Sequence, residues 1–287
     1  MSAADSARAA PAHEAFLVYK RFRYLKFATL LCVLSVVAYL FHRPWLQPPN
    51  GGTWLGYTLG TIGLLLILWL SAFGWRKRSY GNAGRLEDWL SAHVYLGLVL
   101  ITVATLHTGF QFGWNVHTLA FVLMMAVILS GAYGVYTYTR YPRLVTANRA
   151  NSTDDKMLRE VALLDGQMRD AALRVDENIS LHVRAAIDKT RIGGSMIRIL
   201  SGVDPNCATA AAMKAIEPIA AGVPAEQREA VSRLMVLLTQ KSELLKRLRR
   251  DAQLRAHMTV WLYVHVPLTF ALLAALLAHV VAVFFYW

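Results

Sequence analysis

Apolar residues gather in five long runs along the 287-residue chain, at roughly 25–41, 54–75, 89–110, 115–138 and 260–286. Each run approaches or exceeds the ~20 apolar residues that an α-helix needs to cross the hydrocarbon core of a bilayer, so the pattern predicts five transmembrane helices. The first run is the shortest and borrows neighbouring aromatic residues to reach across. The residues before it are mostly polar or small, and no small-residue cleavage pattern follows it, which argues against a signal peptide.

Between Pro142 and His257 the apolar runs stop, leaving an insertion too long for an ordinary connection. The predicted organisation is a tail at 1–24, helices one to four at 25–141, the insertion at 142–258 and helix five at 259–287. The stretch "STDDKMLREVALLDGQMRDAALRV" opens on a Ser or Thr cap and sets Leu158, Val161, Leu164, Met168 and Ala172 on one helical face. The middle, "SLHVRAAIDKTRIGGSMIRILSGVDPNC", mixes short strand-like pieces with a turn at Gly193 and Gly194. From Pro224 a helical pattern resumes and runs almost continuously into helix five. The expected fold is therefore an all-α integral membrane protein with five transmembrane helices and a mainly helical insertion.

Composition agrees with this reading: 56% of residues are hydrophobic and the mean hydropathy is +0.37. The net charge of +12 would suit nucleic acid, but its placement reports membrane orientation instead. Lys20, Arg21, Arg23 and Lys26 precede helix one, Arg76, Lys77 and Arg78 follow helix two, Arg85 precedes helix three, and Arg140 and Arg143 follow helix four. With alternating helices all of these fall on one side, so the N-terminus and the insertion are expected in the cytoplasm of a bacterial-type inner membrane and the C-terminus outside. Two isolated cysteines, Cys32 and Cys207, provide neither a four-thiolate iron–sulfur site nor covalent haem attachment. The Gly193–Gly194 pair lacks the remainder of a dinucleotide fingerprint, and no P-loop is present.

Histidine supplies the chemistry. His93 and His107 lie fourteen residues apart in helix three, and His265 and His279 lie fourteen apart in helix five. Fourteen residues is nearly four turns and a rise of about 21 Å, so each pair faces one way near opposite membrane surfaces. Imidazoles in apolar helices need compensation, and neither segment holds a carboxylate. With helices three and five both running outward, His93 comes level with His265 and His107 with His279. Each level then offers iron two axial imidazoles in an apolar bundle, which predicts two b-type haems. Two ligands per level fall short of the usual zinc count.

Helix two carries Gly60 and Gly74, also fourteen apart, and Gly97, Gly131 and Gly134 follow on helices three and four; these serve either haem contact or helix packing. Arg85, Arg140 and Arg143 are candidates for the propionates of the inner haem, although orientation alone explains them. His117 either caps or lines the interface, or completes an outer metal or quinone site. Trp114 and Asn115 stand at the same end, where interfacial tryptophan is expected without further function. His13, His42, His182 and His257 sit in polar or boundary contexts.

With these residues in view, the chain resembles the two-haem transmembrane cytochromes b, particularly the four-helix haem core of the cytochrome b in bc-type respiratory complexes. The resemblance covers about 54–141 and 259–286, matches His93 and His107 to the first ligand helix and His265 and His279 to the second, and likens Gly60 and Gly74 to small haem-contact positions. It implies a bundle of helices two to five with helix one peripheral. The chain departs from that family in lacking its later helices and the "PEW" tripeptide, and in carrying the large insertion. A smaller cytochrome b subunit of a membrane oxidoreductase is thus implied, passing electrons between a cytoplasmic dehydrogenase, iron–sulfur or flavoprotein partner and a quinone or external acceptor such as a cytochrome c. Quinone chemistry by the subunit itself is the enzymatic alternative; a haem-free scaffold or transporter is the alternative of another class.

Overall fold

In the computed structural model, which describes residues 16–42, 51–78, 86–149 and 152–285, the elements are helical: α1 (Tyr19–Phe41), α2 (Trp54–Arg78), α3 (Leu86–Thr108), α4 (Val116–Arg149), α5 (Asp154–Ala172), α6 (Glu177–Asp188), α7 (Met196–Ser201), α8 (Ala208–Ala220) and α9 (Ala225–Phe285). Among the described residues there is no strand. Five stretches are long and apolar enough to cross a membrane: α1, α2, α3, the start of α4 and the last part of α9. The chain is an all-α membrane protein.

Two compact units divide the chain, one of residues 1–139 and 261–287, the other of residues 140–260. The first holds two apolar clusters. Ile67 and Leu70 of α2, Leu100 of α3, Met124 of α4 and Leu272 and Leu276 of α9 form one, so these four helices share a core. In the other, Ala28 of α1 packs with Leu55 and Leu59 of α2 and Val99, Val103 and Leu106 of α3. Helix α1 thus packs on α2 and α3. Large apolar side chains such as Leu34, Leu65, Leu129 and Phe270 are exposed on the same helices, the arrangement that a lipid solvent permits.

The second unit obeys the rules of water. Leu164 and Met168 of α5, Ile179, Val183 and Ala186 of α6, Ile216 of α8 and Val231, Leu234 and Leu238 of α9 form its core. Thr153 caps α5 by accepting from the Lys156 backbone N–H at 3.2 Å, as the sequence predicts. The buried face of α5 holds the expected Leu164, Met168 and Ala172; at its start Met157 is buried in place of Leu158, which is exposed. The strand-like reading of the middle stretch is also overturned. Ile179, Val183 and Ala186 follow a helical repeat and bury one side of α6, and that packing outweighs the β-branched side chains of the segment. Gly193 and Gly194 lie in the non-helical connection before α7.

Two prolines inside long helices refine the predicted boundaries. Helix α4 continues through Pro142 to Arg149, where Thr146 Oγ1 donates to the Pro142 carbonyl at 3.0 Å. Helix α9 carries Pro267 near His265; a proline there offers no N–H to the preceding turn.

Candidate histidine site

Helices α3, α4 and α9 deliver five histidines to the interior of the first unit. His107 stands in the last turn of α3, His117 in the first turn of α4, and the short connection 109–115 turns the chain back so that the two rings meet, with centroids 5.2 Å apart. His279 of α9 lies 6.1 Å from His107 and 4.8 Å from His117 by the same measure. Four turns away along both helices, His93 and His265 are close enough to interact electrostatically. The two pairings together require α3 and the end of α9 to run parallel, in the register that the equal fourteen-residue spacings predict.

Hydrogen bonds assign the tautomers. His107 Nδ1 lies 2.8 Å from the Gly56 carbonyl, which can only accept, so Nδ1 carries the proton and Nε2 the lone pair. Ser130 Oγ donates to the Val127 carbonyl at 2.8 Å and stands 2.8 Å from His265 Nδ1. Its proton being spent, it accepts from His265, whose Nε2 is likewise left bare. His93 Nδ1 is buried without a hydrogen-bond partner. A ring N–H anchored on a backbone or hydroxyl oxygen, with the opposite nitrogen unprotonated, is the preparation a metal-ligating imidazole needs.

The surroundings are tight at one level and aromatic at the other. A Cβ on Gly60 would lie 2.7 Å from His107 Cε1 and one on Gly51 3.6 Å away, so α2 must carry no side chain at position 60 for the His107 ring to sit where it does. Gly131 plays a milder part beside His265, at 3.3 Å from Cε1, and Gly134 beside Trp261, at 2.9 Å. Phe73 lies 5.0 Å from His93, and Trp261 stands edge-on to His265 at 5.4 Å. A Cβ on Gly74 would meet nothing within 4 Å.

Of the residues singled out by sequence, the structure therefore brings together His107 with His279 and Gly60 with His107, and sets His93 and His265 four turns away on the same two helices. Arg140 is exposed and belongs to the other unit, as does Arg143; Arg85 lies outside the described residues. Two participants do not follow from the histidine spacing. The sequence leaves His117 between interfacial and metal or quinone roles, and its place just across a short loop from His107 puts it at that level. Ser130 carried no signal, because a lone hydroxyl in an apolar helix ordinarily bonds back to its own backbone.

Fold and site together define an all-α membrane protein with two interior levels of lone-pair-bearing imidazoles. Comparison with protein-family models, with curated proteins and with solved structures gives no match.

Proposed function

We propose that the chain is a cytochrome b-like electron-transfer subunit, with one b-type haem held by His93 and His265 and a second by His107 and His279. The observation that carries this reading is the pairing of histidines across α3 and α9 at two levels, each with ring nitrogens free to ligate. The His93 level fits a haem well: an orphaned buried nitrogen, a second imidazole anchored by Ser130, and flat aromatic neighbours in Phe73 and Trp261.

Haem bound at these levels supplies reversible one-electron transfer. The protein's own part is to orient the rings through Gly56 and Ser130, to exclude water with apolar helices and to space the levels by about 21 Å of helical rise, across most of the hydrocarbon core. Lysine and arginine distribution orients this path from a cytoplasmic redox partner bound to the second unit toward a quinone or an external acceptor in a bacterial-type inner membrane. Within the outer level, the third imidazole of His117 favours a second reading, developed below.

A reduced-minus-oxidised spectrum of the chain purified from haem-replete cells tests the proposal, with pyridine-haem quantification of the variants. His93→Ala or His265→Ala is expected to remove one haem and leave b-type absorbance from the other level. Absence of any b-type absorbance, or full haem retention in all four histidine variants, overturns it.

A further inference from the structure

The level of His107 and His279 contains one more donor than a bis-imidazole haem employs. The ligating nitrogens of His107, His117 and His279 all lie within 4.8 Å of one another, and the three come from three helices, α3, α4 and α9. Tetrahedral zinc, with bonds of about 2.0–2.1 Å, separates its ligand atoms by about 3.3 Å, so small side-chain rotations close the three rings on one ion. The set is neutral and consists of nitrogen alone, which suits zinc, copper, nickel or cobalt and does not suit magnesium or calcium, both of which require oxygen.

The third ring also stands where a macrocycle would lie. His117 is nearly equidistant from His107 and His279, at 5.2 and 4.8 Å, while those two are 6.1 Å apart. By the median of that triangle the His117 centroid is about 4 Å from their midpoint and almost in the plane that bisects them. A macrocycle held by His107 and His279 would need the space that the His117 ring fills in this arrangement.

We propose that His107, His117 and His279 form a three-imidazole site for a divalent first-row transition-metal ion, and that this ion and a second haem exclude each other. Three protein ligands leave the fourth position of a tetrahedral ion open to water or another small ligand. Residues 110–116, which join the two histidine-bearing helix ends, are all exposed and give the ion access. The site does not depend on haem at the His93 level.

Cobalt(II) titration of the full chain in detergent tests it, using protein expressed under haem limitation, stripped with a chelator and assayed for residual haem. Cobalt reports tetrahedral nitrogen ligation through its visible absorption, and zinc should then displace it. One cobalt per chain is expected. His107→Asn, His117→Asn and His279→Asn should each weaken binding by more than the ~10–100-fold that loss of a second-shell partner costs, whereas His93→Asn and His265→Asn should retain it. Helical circular dichroism and detergent elution identify folded variants, and His117→Gln replaces His117→Asn if the latter misfolds. Absence of a tetrahedral cobalt spectrum, or its survival in folded His117 variants, overturns the site. Chain loaded with two haems that still takes up cobalt through these three residues overturns the exclusion. Cobalt binding by a chain that never acquires haem leaves this site standing and overturns the electron-transfer reading instead.

Discussion

The two units treat buried polar groups in opposite ways. In the second, Lys241 of α9 is only 1% exposed, yet its ammonium is paired with Asp165 of α5 and donates to the Ala186 carbonyl at 2.8 Å. Asp251 is fully buried and accepts from Arg149 at 2.7 Å and from Arg255 at 2.8 Å. Arg249 meets Asp204 at 3.1 Å. Every one of these charges finds its counter-charge inside the chain, which is how water-soluble cores tolerate ions. In the first unit His107 and His265 are anchored by oxygens that take their protons, and among the described residues no hydrogen-bond partner meets His93 Nδ1. Pairing with a counter-charge marks structure, even where Asp251 Oδ1 and Arg249 Nε keep no hydrogen-bond partner; an imidazole nitrogen with no counter-group marks a place for something else.

Truncating one partner in each unit separates these two roles. Asp165→Ala strands the Lys241 ammonium and is expected to cost about 3 kcal/mol, the lower end of the range for breaking a buried pair because Asp165 is a fifth exposed. The double change Asp165→Leu with Lys241→Met should recover most of that. His93→Leu, by contrast, removes an unsatisfied nitrogen and should leave the thermal stability of haem-free protein unchanged or raised. Thermal unfolding followed by circular dichroism measures all three. A His93→Leu loss as large as that of Asp165→Ala would make the imidazole a structural group and erase the contrast.

Glycine gives the next largest effect. Gly60→Ala drives a methyl into the His107 ring, and an overpacked site of this kind costs roughly 2 kcal/mol. The ring must also leave the Gly56 carbonyl, so the His107 level should lose its haem or cobalt while the His93 level keeps its own. Gly74→Ala meets no neighbour and should be silent, or stabilising by about 0.5–1 kcal/mol through helix propensity. Equal effects of the two would show that position 60 serves packing and not the histidine.

Much of this arrangement is written in the order of residues, because lipid and helix impose strong periodicities. Runs of apolar residues mark the five crossings, and the repeated spacing of His93, His107, His265 and His279 fixes two levels. The same spacing could not show how many rings share a level, since that depends on which way α4 presents His117 after its turn. At the start of α5, Met157 is buried in place of Leu158 for a related reason: Val161 and Ala172 fit a stripe through either residue, and only the opposing α6 and α9 choose between them. Ser130 stayed silent because its importance is a contact across helices.

The smallest expected effect tests whether the paired charges of the second unit matter as charges. Burial opposes ionisation of Asp154, but hydrogen bonding and attraction from Arg255, with further help from Arg149 at 2.8 Å, hold its carboxyl below the ordinary 3.8. A carboxyl depressed on folding contributes stability that is fully present above its unfolded value and is lost as pH falls through its folded value. The second unit should therefore weaken as pH drops below about 4, and Asp154→Asn should flatten that part of the pH–stability curve while lowering stability at neutral pH. The change is modest, because the Asp154 side chain is 28% exposed and solvent screens the pair. Proteolytic susceptibility of residues 140–260 against pH measures it locally. An Asp154→Asn curve that overlays the parent below pH 5 and above it would mean that the apolar core of α5, α6, α8 and α9 holds the unit by itself, with its ion pairs contributing specificity of packing alone.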